Sequence, residues 1–320
     1  MSNNIQFVKA EKYAGFVQLS IEGPSGSGKT YGAMLLAAGL TKKGIVAFGD
    51  SEHGRCRHYA PLIKDAEFHV FDITPPYTPE KYVQVIEAAE KAGYDVLILD
   101  SISHEWEGSG GSLEIHYNET MKSKSQNSYI AWGNVTPRHQ AFIAKIVNSN
   151  LHIICSMRSK TAYDTSGQEG GKMKVKEVGQ EVIQRQGVKY EFITRFEIDL
   201  ETHKATAPKD MTHIFSKRKD PFLLSVDDGK ALREYADEGA VRGITKDQGK
   251  EIFEICIQHG IFKNTEADME KLKAIGAKDL THNNAFELLV WLQENRESGT
   301  QVDFKKLSDR IKSLLEVKNE

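Results

Sequence analysis

The sequence predicts a doubly wound α/β fold with a mostly parallel sheet, followed by a small all-α module, on three observations. A strand, a glycine loop and a helical pattern follow one another without interruption over residues 16–40. Further on, short and continuously apolar runs alternate with helical segments, which suits a parallel sheet covered on both faces. Near residues 237–244 the character changes, and only amphipathic helical patterns follow.

The first element, Phe16-Val17-Gln18-Leu19-Ser20-Ile21, alternates apolar and polar residues as a strand entering a core does. It runs into Gly23-Pro24-Ser25-Gly26-Ser27-Gly28-Lys29-Thr30, which meets the phosphate-loop pattern GxxxxGK[ST] at every specified place. Met34, Leu35, Leu36, Ala38 and Leu40 then recur on a helical period. Such a loop works because glycines let successive backbone N–H groups turn inward on an anion, while the helix N-terminus adds partial positive charge. Lys29 would reach the β- and γ-phosphates and the Thr30 hydroxyl would ligate magnesium. The expected cofactors are therefore ATP and Mg2+, held by residues 23–30 with the adjoining Tyr31.

A second strand is expected at 44–48, running into Gly49-Asp50-Ser51-Glu52-His53, and a third at 68–71. Pro75-Pro76 breaks the chain before an amphipathic helix over 79–92, with Tyr82, Val85, Ile86 and Ala89 on one face. Residues 95–100, DVLILD, read as a buried strand that stops on a carboxylate. Two helices and a glycine-rich loop at 107–111 are expected before the next buried strand, 151–156. The polar stretch 158–189, rich in Gly, Gln and Lys, reads as a long loop. Residues 190–200 alternate as a strand, and a turn at 201–203 leads to an antiparallel partner at 204–207. Thr245-Lys246-Asp247-Gln248 is a capping box opening a helix that buries Ile252, Ile255 and Cys256 and stops at Gly260. Helices follow at 267–275, 283–296 and 303–316, so the expected domains are 1–240, nucleotide-binding, and 241–320, helical.

Composition narrows the partners. A formal charge of −3 over 320 residues gives no global attraction to nucleic acid or anionic membrane, so such binding must come from local patches. No apolar run approaches the ~18 residues of a membrane span, and residues 1–16 lack the build of a signal peptide. Cys56, Cys155 and Cys256 lie far apart without metal or redox spacing, which points to a reducing cytoplasm.

Asp100, closing an apolar strand, is the expected magnesium-side carboxylate. The next residue is Ser101 rather than a water-polarising Glu, so hydrolysis needs an acid from elsewhere. Glu52, at the tip of the neighbouring strand, is the first candidate and Glu105 the second. His53, His104 and His139 have no metal-like grouping and read as supporting residues. The Lys217-Arg218-Lys219 triplet reads as a solvated turn.

The runs GPSGSGKTYGA, DSISHEWEGSGG, AWGNVTPRH and MRSK, with Asp50-Ser51-Glu52-His53, together resemble the RecA-like AAA ATPases coded by tailed bacteriophages, relatives of the Sak-like single-strand annealing and recombination proteins. The resemblance spans roughly residues 15 to 220. It implies a RecA-like P-loop core acting on single-stranded DNA, with ATP bound between subunits of a homo-oligomeric ring or filament in the bacterial host cytoplasm. A single-strand-binding or other replication or recombination protein would be a further partner. Carried over, Lys29 and Thr30 hold phosphate and magnesium, Glu52 is the catalytic acid and Asp100 the metal-side carboxylate. Arg158 and Lys160 would lie at a sensor position. A late-strand Lys-x-Arg would correspond to Lys209-Asp210-Met211, where Met occupies the arginine place. Loops lining a central axis would offer Lys122 and Lys124, then Lys172, Lys174, Lys176 and Arg185, to a DNA backbone. Trp106, Tyr129, Trp132 and Tyr163 are the available stacking residues.

Two other functions compete. A P-loop kinase for a small molecule needs an arginine-rich lid, and no compact arginine cluster is found; a nucleotide-gated interaction protein would use ATP to switch the helical module. A GTPase is disfavoured because no NKxD-like motif occurs.

Overall fold

The computed structural model describes residues 14–122, 127–169, 172–238, 246–263, 265–277 and 282–316, with residues 10, 12 and 280. Its contacts divide the chain into two compact units, one of residues Phe16–Ala236 and one built chiefly from Asp237 onward.

The first unit is a mixed, mostly parallel sheet between helices. Its strands are β1 (Gln18–Gly23), β2 (Ile45–Asp50), β3 (Glu67–Asp72), β4 (Val96–Asp100), β5 (His152–Glu169), β6 (Lys172–Val182), β7 (Thr194–Ile198) and β8 (Ala205–Asp210). They lie in the order β3-β2-β4-β5-β1-β7-β8, with β6 paired to β5 off this path. The pairs β2–β3, β2–β4, β4–β5, β5–β1 and β1–β7 are parallel, whereas β7–β8 and β5–β6 are antiparallel. Parallel register brings the strand ends to one edge: Asp50 lies beside Asp100, and Gly23 beside Arg158. Residues far apart in sequence therefore converge on the carboxyl edge, where open α/β sheets bind ligands.

Period-two burial decides which side chains face which helices. Val46, Phe48, Val96, Ile98 and Ile154 enter one core with α1 (Lys29–Leu40), and Ala47, Leu97, Leu99, Ile153 and Cys155 enter the other with α3 (Pro79–Lys91). Asp100 shares the parity of Val96 and Ile98, so its carboxylate is on the side of α1. Nearly all of α1 is buried because it is covered by the sheet and by α7 (Val226–Asp237). At their crossing two glycines meet: a Cβ on Gly39 would lie 2.0 Å from the Val226 carbonyl oxygen and 2.6 Å from the Lys230 nitrogen. Backbone cannot yield as a side chain can. Gly39→Ala is expected to destabilise the first unit by about 3 kcal/mol, the upper part of the overpacking range, read as a lower denaturation midpoint.

The remaining helices are α2 (Cys56–Tyr59), α4 (Ser103–Glu107), α5 (Ser112–Lys122) and α6 (Ser128–Val147), three rather than two of them between β4 and β5. A larger correction concerns 158–189. It is not an open loop, because β5 continues past Arg158 to Glu169 and pairs with β6 as a hairpin. Lys172-Met173-Lys174-Val175-Lys176 does alternate as a strand, but the polar composition around it imitates a loop, and Gly170-Gly171, outside the described residues, divide the two strands. The strand expected at 190–200 contracts to β7. A 3-10 turn at Val188–Tyr190, entered through Gly187 at φ 100°, drops Val188 and Phe192 into the core first.

His152 opens β5 and is buried, with Nδ1 accepting a hydrogen bond from the Val17 amide at 3.2 Å. Burial, helped by the nearby Arg233 charge, lowers its pKa from 6.5 to about 3. The unfolded chain thus binds this proton more tightly, and stability should rise with pH between about 3 and 6.5. His152→Gln, which keeps an acceptor without the titration, should flatten that part of the curve of denaturation midpoint against pH. An unchanged slope would assign the effect to other groups.

In the second unit α8 (Lys246–Gln258), α9 (Glu266–Ala274), α10 (His282–Glu297) and α11 (Phe304–Glu316) share a core that includes Ile252, Cys256, Leu272, Leu288, Leu292, Leu307 and Ile311. Thr265 and Asp268 form a capping box at α9, whereas Thr245 of the expected box at α8 lies outside the described residues. The three cysteines are buried and free. Among the described residues no helix is long and apolar enough to cross a membrane.

Candidate nucleotide-binding and catalytic site

β1 stops at Gly23, and residues 24–28 turn the chain back into α1. Gly26 and Gly28 take left-handed φ of 89° and 99°, a conformation that side chains resist. Gly28 is the N-cap of α1 and has no side-chain oxygen to satisfy the first-turn amides, which leaves them for an anion. The Ser27 Oγ is buried and has no hydrogen-bond partner among the described residues. Lys29 is buried, and its Nζ donates to the carbonyl oxygens of Gly23 at 2.9 Å and Pro24 at 2.7 Å. Burial lowers its pKa, an effect opposed by the charges of Asp100 and Glu52.

The second residue of α1 meets β4. Thr30 Oγ1 donates to Asp100 Oδ2 at 2.6 Å, and Ser156 Oγ on β5 donates to Asp100 Oδ1. Full burial raises the Asp100 pKa although both hydroxyls favour the anion. The Asp100–Ser101 peptide is cis.

Beyond β2, Asp50 organises the turn by accepting from the amides of Glu52 at 2.6 Å and Gly54 at 3.0 Å. This holds Glu52 buried beside the loop. Its carboxylate accepts from Arg158 Nε at 2.7 Å and Nη2 at 2.5 Å, and from Ser101 Oγ at 3.2 Å. Arg55 stands 3.6 Å away. Burial alone would raise the Glu52 pKa, but the Arg158 hydrogen bonds and charge outweigh it and leave it lowered. Glu52 is thus an ionised acceptor at neutral pH. Lys29, Thr30, Glu52, Asp100 and Arg158 line one small cleft with Ser25, Gly26 and Gly28.

Other sequence candidates lie elsewhere. Glu105 is buried, accepting from Ser112 at 2.7 Å and Gln184 at 3.2 Å and contacting His139, and it does not line the cleft. Lys160 is exposed on β5, 3.9 Å from Glu181, and is likewise outside the cleft. Lys209 on β8 donates to the Tyr190 carbonyl at 2.6 Å, and Met211 is exposed. Lys122 ends α5 in an ion pair with Glu119 at 2.9 Å. Lys124 is outside the described residues, and Lys172, Lys174 and Lys176 occupy alternate positions of β6 rather than a loop. Arg185 follows the hairpin, its guanidinium 5.8 Å from the Trp132 ring centroid. Tyr31 packs on Tyr59, with ring centroids 5.5 Å apart. His104 bonds the Ser51 hydroxyl at 2.8 Å, supporting the turn that bears Glu52, and His53 sits in that turn at φ 61°.

Sequence reasoning missed Arg55, Tyr59, Ser156 and His203. Arg55 carried a signal, three residues after Glu52. His203, whose Nδ1 lies 3.1 Å from the Ser27 carbonyl oxygen, could not be placed without the fold.

These residues fit a magnesium triphosphate. Thr30 and Asp100 supply hard oxygen donors, and the orphaned Ser27 hydroxyl and the two left-handed glycines form a polar cradle. One carboxylate suffices for magnesium, which takes further ligands from phosphate and water; among the described residues no cluster of three or more His, Cys, Asp or Glu could hold a metal by itself. No curated protein matches the chain. Residues 16–222 match the family described as AAA domain, the segment that contains the whole cleft. With most of its length under that match and a P-loop α/β core, the chain belongs to the AAA domain family of nucleotide-binding ATPases.

Proposed function

We propose that the chain is a magnesium-dependent ATPase of the phage-coded RecA-like kind, related to Sak-like proteins, acting on single-stranded DNA in recombination or replication as a homo-oligomer. One observation carries the enzymatic part: the Thr30–Asp100 contact of 2.6 Å and the ionised Glu52 share a single cleft with Lys29. Thr30 and Asp100 would hold magnesium, which when bound neutralises charge on the phosphates. Lys29 would exchange the Gly23 and Pro24 carbonyls for phosphate oxygens. Glu52 would hold the attacking water and take its proton. Arg158 lines the same cleft while gripping Glu52, so it can trade a carboxylate for a phosphate and release the acid for catalysis. Lys209 is the residue of β8 offered to a neighbouring subunit's nucleotide.

Lys29→Ala is expected to weaken ATP binding roughly 10- to 150-fold, the loss of a charged hydrogen-bond donor, and to remove hydrolysis with it. Titration with a fluorescent ATP analogue measures the first. Unchanged affinity would take the nucleotide out of this cleft. ATP turnover with and without single-stranded oligonucleotide, and the mass of the particle in each case, test the DNA and oligomer parts separately.

A further inference from the structure

We infer that the face built by α4, the start of α6 and Arg185 is a base-stacking groove for single-stranded nucleic acid, with Tyr129 as its free ring and the Trp106–Trp132 stack as its wall. This rests on the proposed action on single strands and names the residues that would carry it. Trp106 and Trp132 stack with centroids 5.8 Å apart and planes at 16°, and His116 stacks on Trp132 at 4.1 Å and 22°. Three rings from three helices thus form one ladder. Arg185 lies beside it, 5.8 Å from the Trp132 centroid, and meets no carboxylate among the described residues. Beside the ladder Tyr129 is 87% exposed. The groove has a volume of about 710 Å³ and is rimmed by polar Thr136 and Gln186.

A core cluster of this size would be covered, whereas this one opens to solvent. The open Tyr129 face beside the tryptophan wall and a guanidinium matches a nucleic-acid strand, which alternates base faces with phosphates. The acids of α5 do not oppose this. Glu119 is taken by Lys122 at 2.9 Å and Asn134 at 3.0 Å, and Glu114 accepts from the Gly110 amide at 2.9 Å. Stacking accepts any base, so binding should be indifferent to sequence. With Arg185 as the cation at the groove, salt dependence should be shallow, a slope of about −0.7 for a single phosphate contact. One helix links groove and cleft: Trp106 lies in α4, whose Ser103 hydroxyl accepts from the Arg158 amide at 2.9 Å.

The test uses the full chain with Trp291→Phe, so that fluorescence reports the two groove tryptophans, titrated with a short oligothymidylate. Quenching is expected in the parent. Tyr129→Ala should weaken binding about 5- to 150-fold and Trp132→Ala, which removes the wall, at least about 5-fold, with affinity for the ATP analogue unchanged. A parent that binds no oligonucleotide would overturn both the single-strand reading and the groove. A parent that binds, with Trp132→Ala and Tyr129→Ala binding equally well, would overturn the groove alone. Should Trp132→Ala also lose ATP affinity through misfolding, Tyr129→Ala decides, since its ring is solvent-exposed. Quenching by a proline-rich peptide and not by oligothymidylate would assign the face to a protein partner and overturn the proposal.

Discussion

Glu52→Gln should leave ATP affinity within about two-fold of the parent and lower turnover about 100- to 10,000-fold, the span of general-base catalysis. The side chain keeps its shape, and its amide oxygen can still accept from Arg158, so the cleft should persist. What is lost is an anion able to take a proton. The parent carboxylate is ionised at neutral pH because Arg158 lowers its pKa despite burial, and its basicity would rise when Arg158 lets go. Arg158→Ala separates the two roles of the pair. It frees Glu52 from its bidentate contact but removes a cation from the cleft. If Arg158 only masked the acid, turnover would rise; the geometry favours a fall, since the guanidinium is placed to replace one anion by another. Single-turnover hydrolysis, with nucleotide affinity measured beside it, distinguishes these outcomes. An unchanged rate in Glu52→Gln would remove Glu52 from catalysis. The role would not pass to Glu105, whose oxygens are engaged by Ser112, Gln184 and His139 away from the cleft.

The cleft was largely legible in sequence because its parts are short-range signals. A glycine loop needs residues at fixed spacing, and a strand that ends on a carboxylate advertises itself by continuous apolarity up to Asp100. Parallel register then does the rest, since Asp50 beside Asp100 and Gly23 beside Arg158 follow once the strands are ordered. What could not be read was pairing between side chains. Arg158 was expected near a nucleotide, but nothing in spacing says that it grips Glu52, 106 positions away. The hairpin of β5 and β6 was hidden because its polar composition imitates a loop and outweighs the short alternation of Met173 and Val175 with Lys172, Lys174 and Lys176. The aromatic ladder was hidden for a different reason. The sequence offers Trp106 and Trp132 as stacking residues, but that they meet each other and His116 shows only when α4, α5 and α6 come together.

Arg195→Ala is expected to destabilise the first unit by about 3–5 kcal/mol, the cost of leaving a buried charge without its partner. Glu22 precedes the phosphate loop by one residue and is buried, with its carboxylate accepting from Arg195 Nε at 2.8 Å and Nη2 at 2.6 Å and from Ser20 Oγ at 3.0 Å. Arg195 lies on β7, where Ser20 is its register partner, and also reaches Glu197 at 3.0 Å. The pair therefore ties the last turn of β1 to its outer neighbour, directly beneath the loop. Its worth is not that of two charges attracting each other, because desolvation of both offsets most of the gain. The double variant Glu22→Met with Arg195→Met should thus cost far less than Arg195→Ala, since it removes the burden of desolvation from both sides. Denaturant midpoints of the parent, Arg195→Ala, Arg195→Met and the double variant decide the matter. If Arg195→Met alone falls no further than the double variant, an orphaned carboxylate does not set the loss. Nucleotide affinity, measured well below the unfolding midpoint, should fall in Arg195→Ala and recover in the double variant, because the loop depends on the strand beneath it being held and not on that strand being charged.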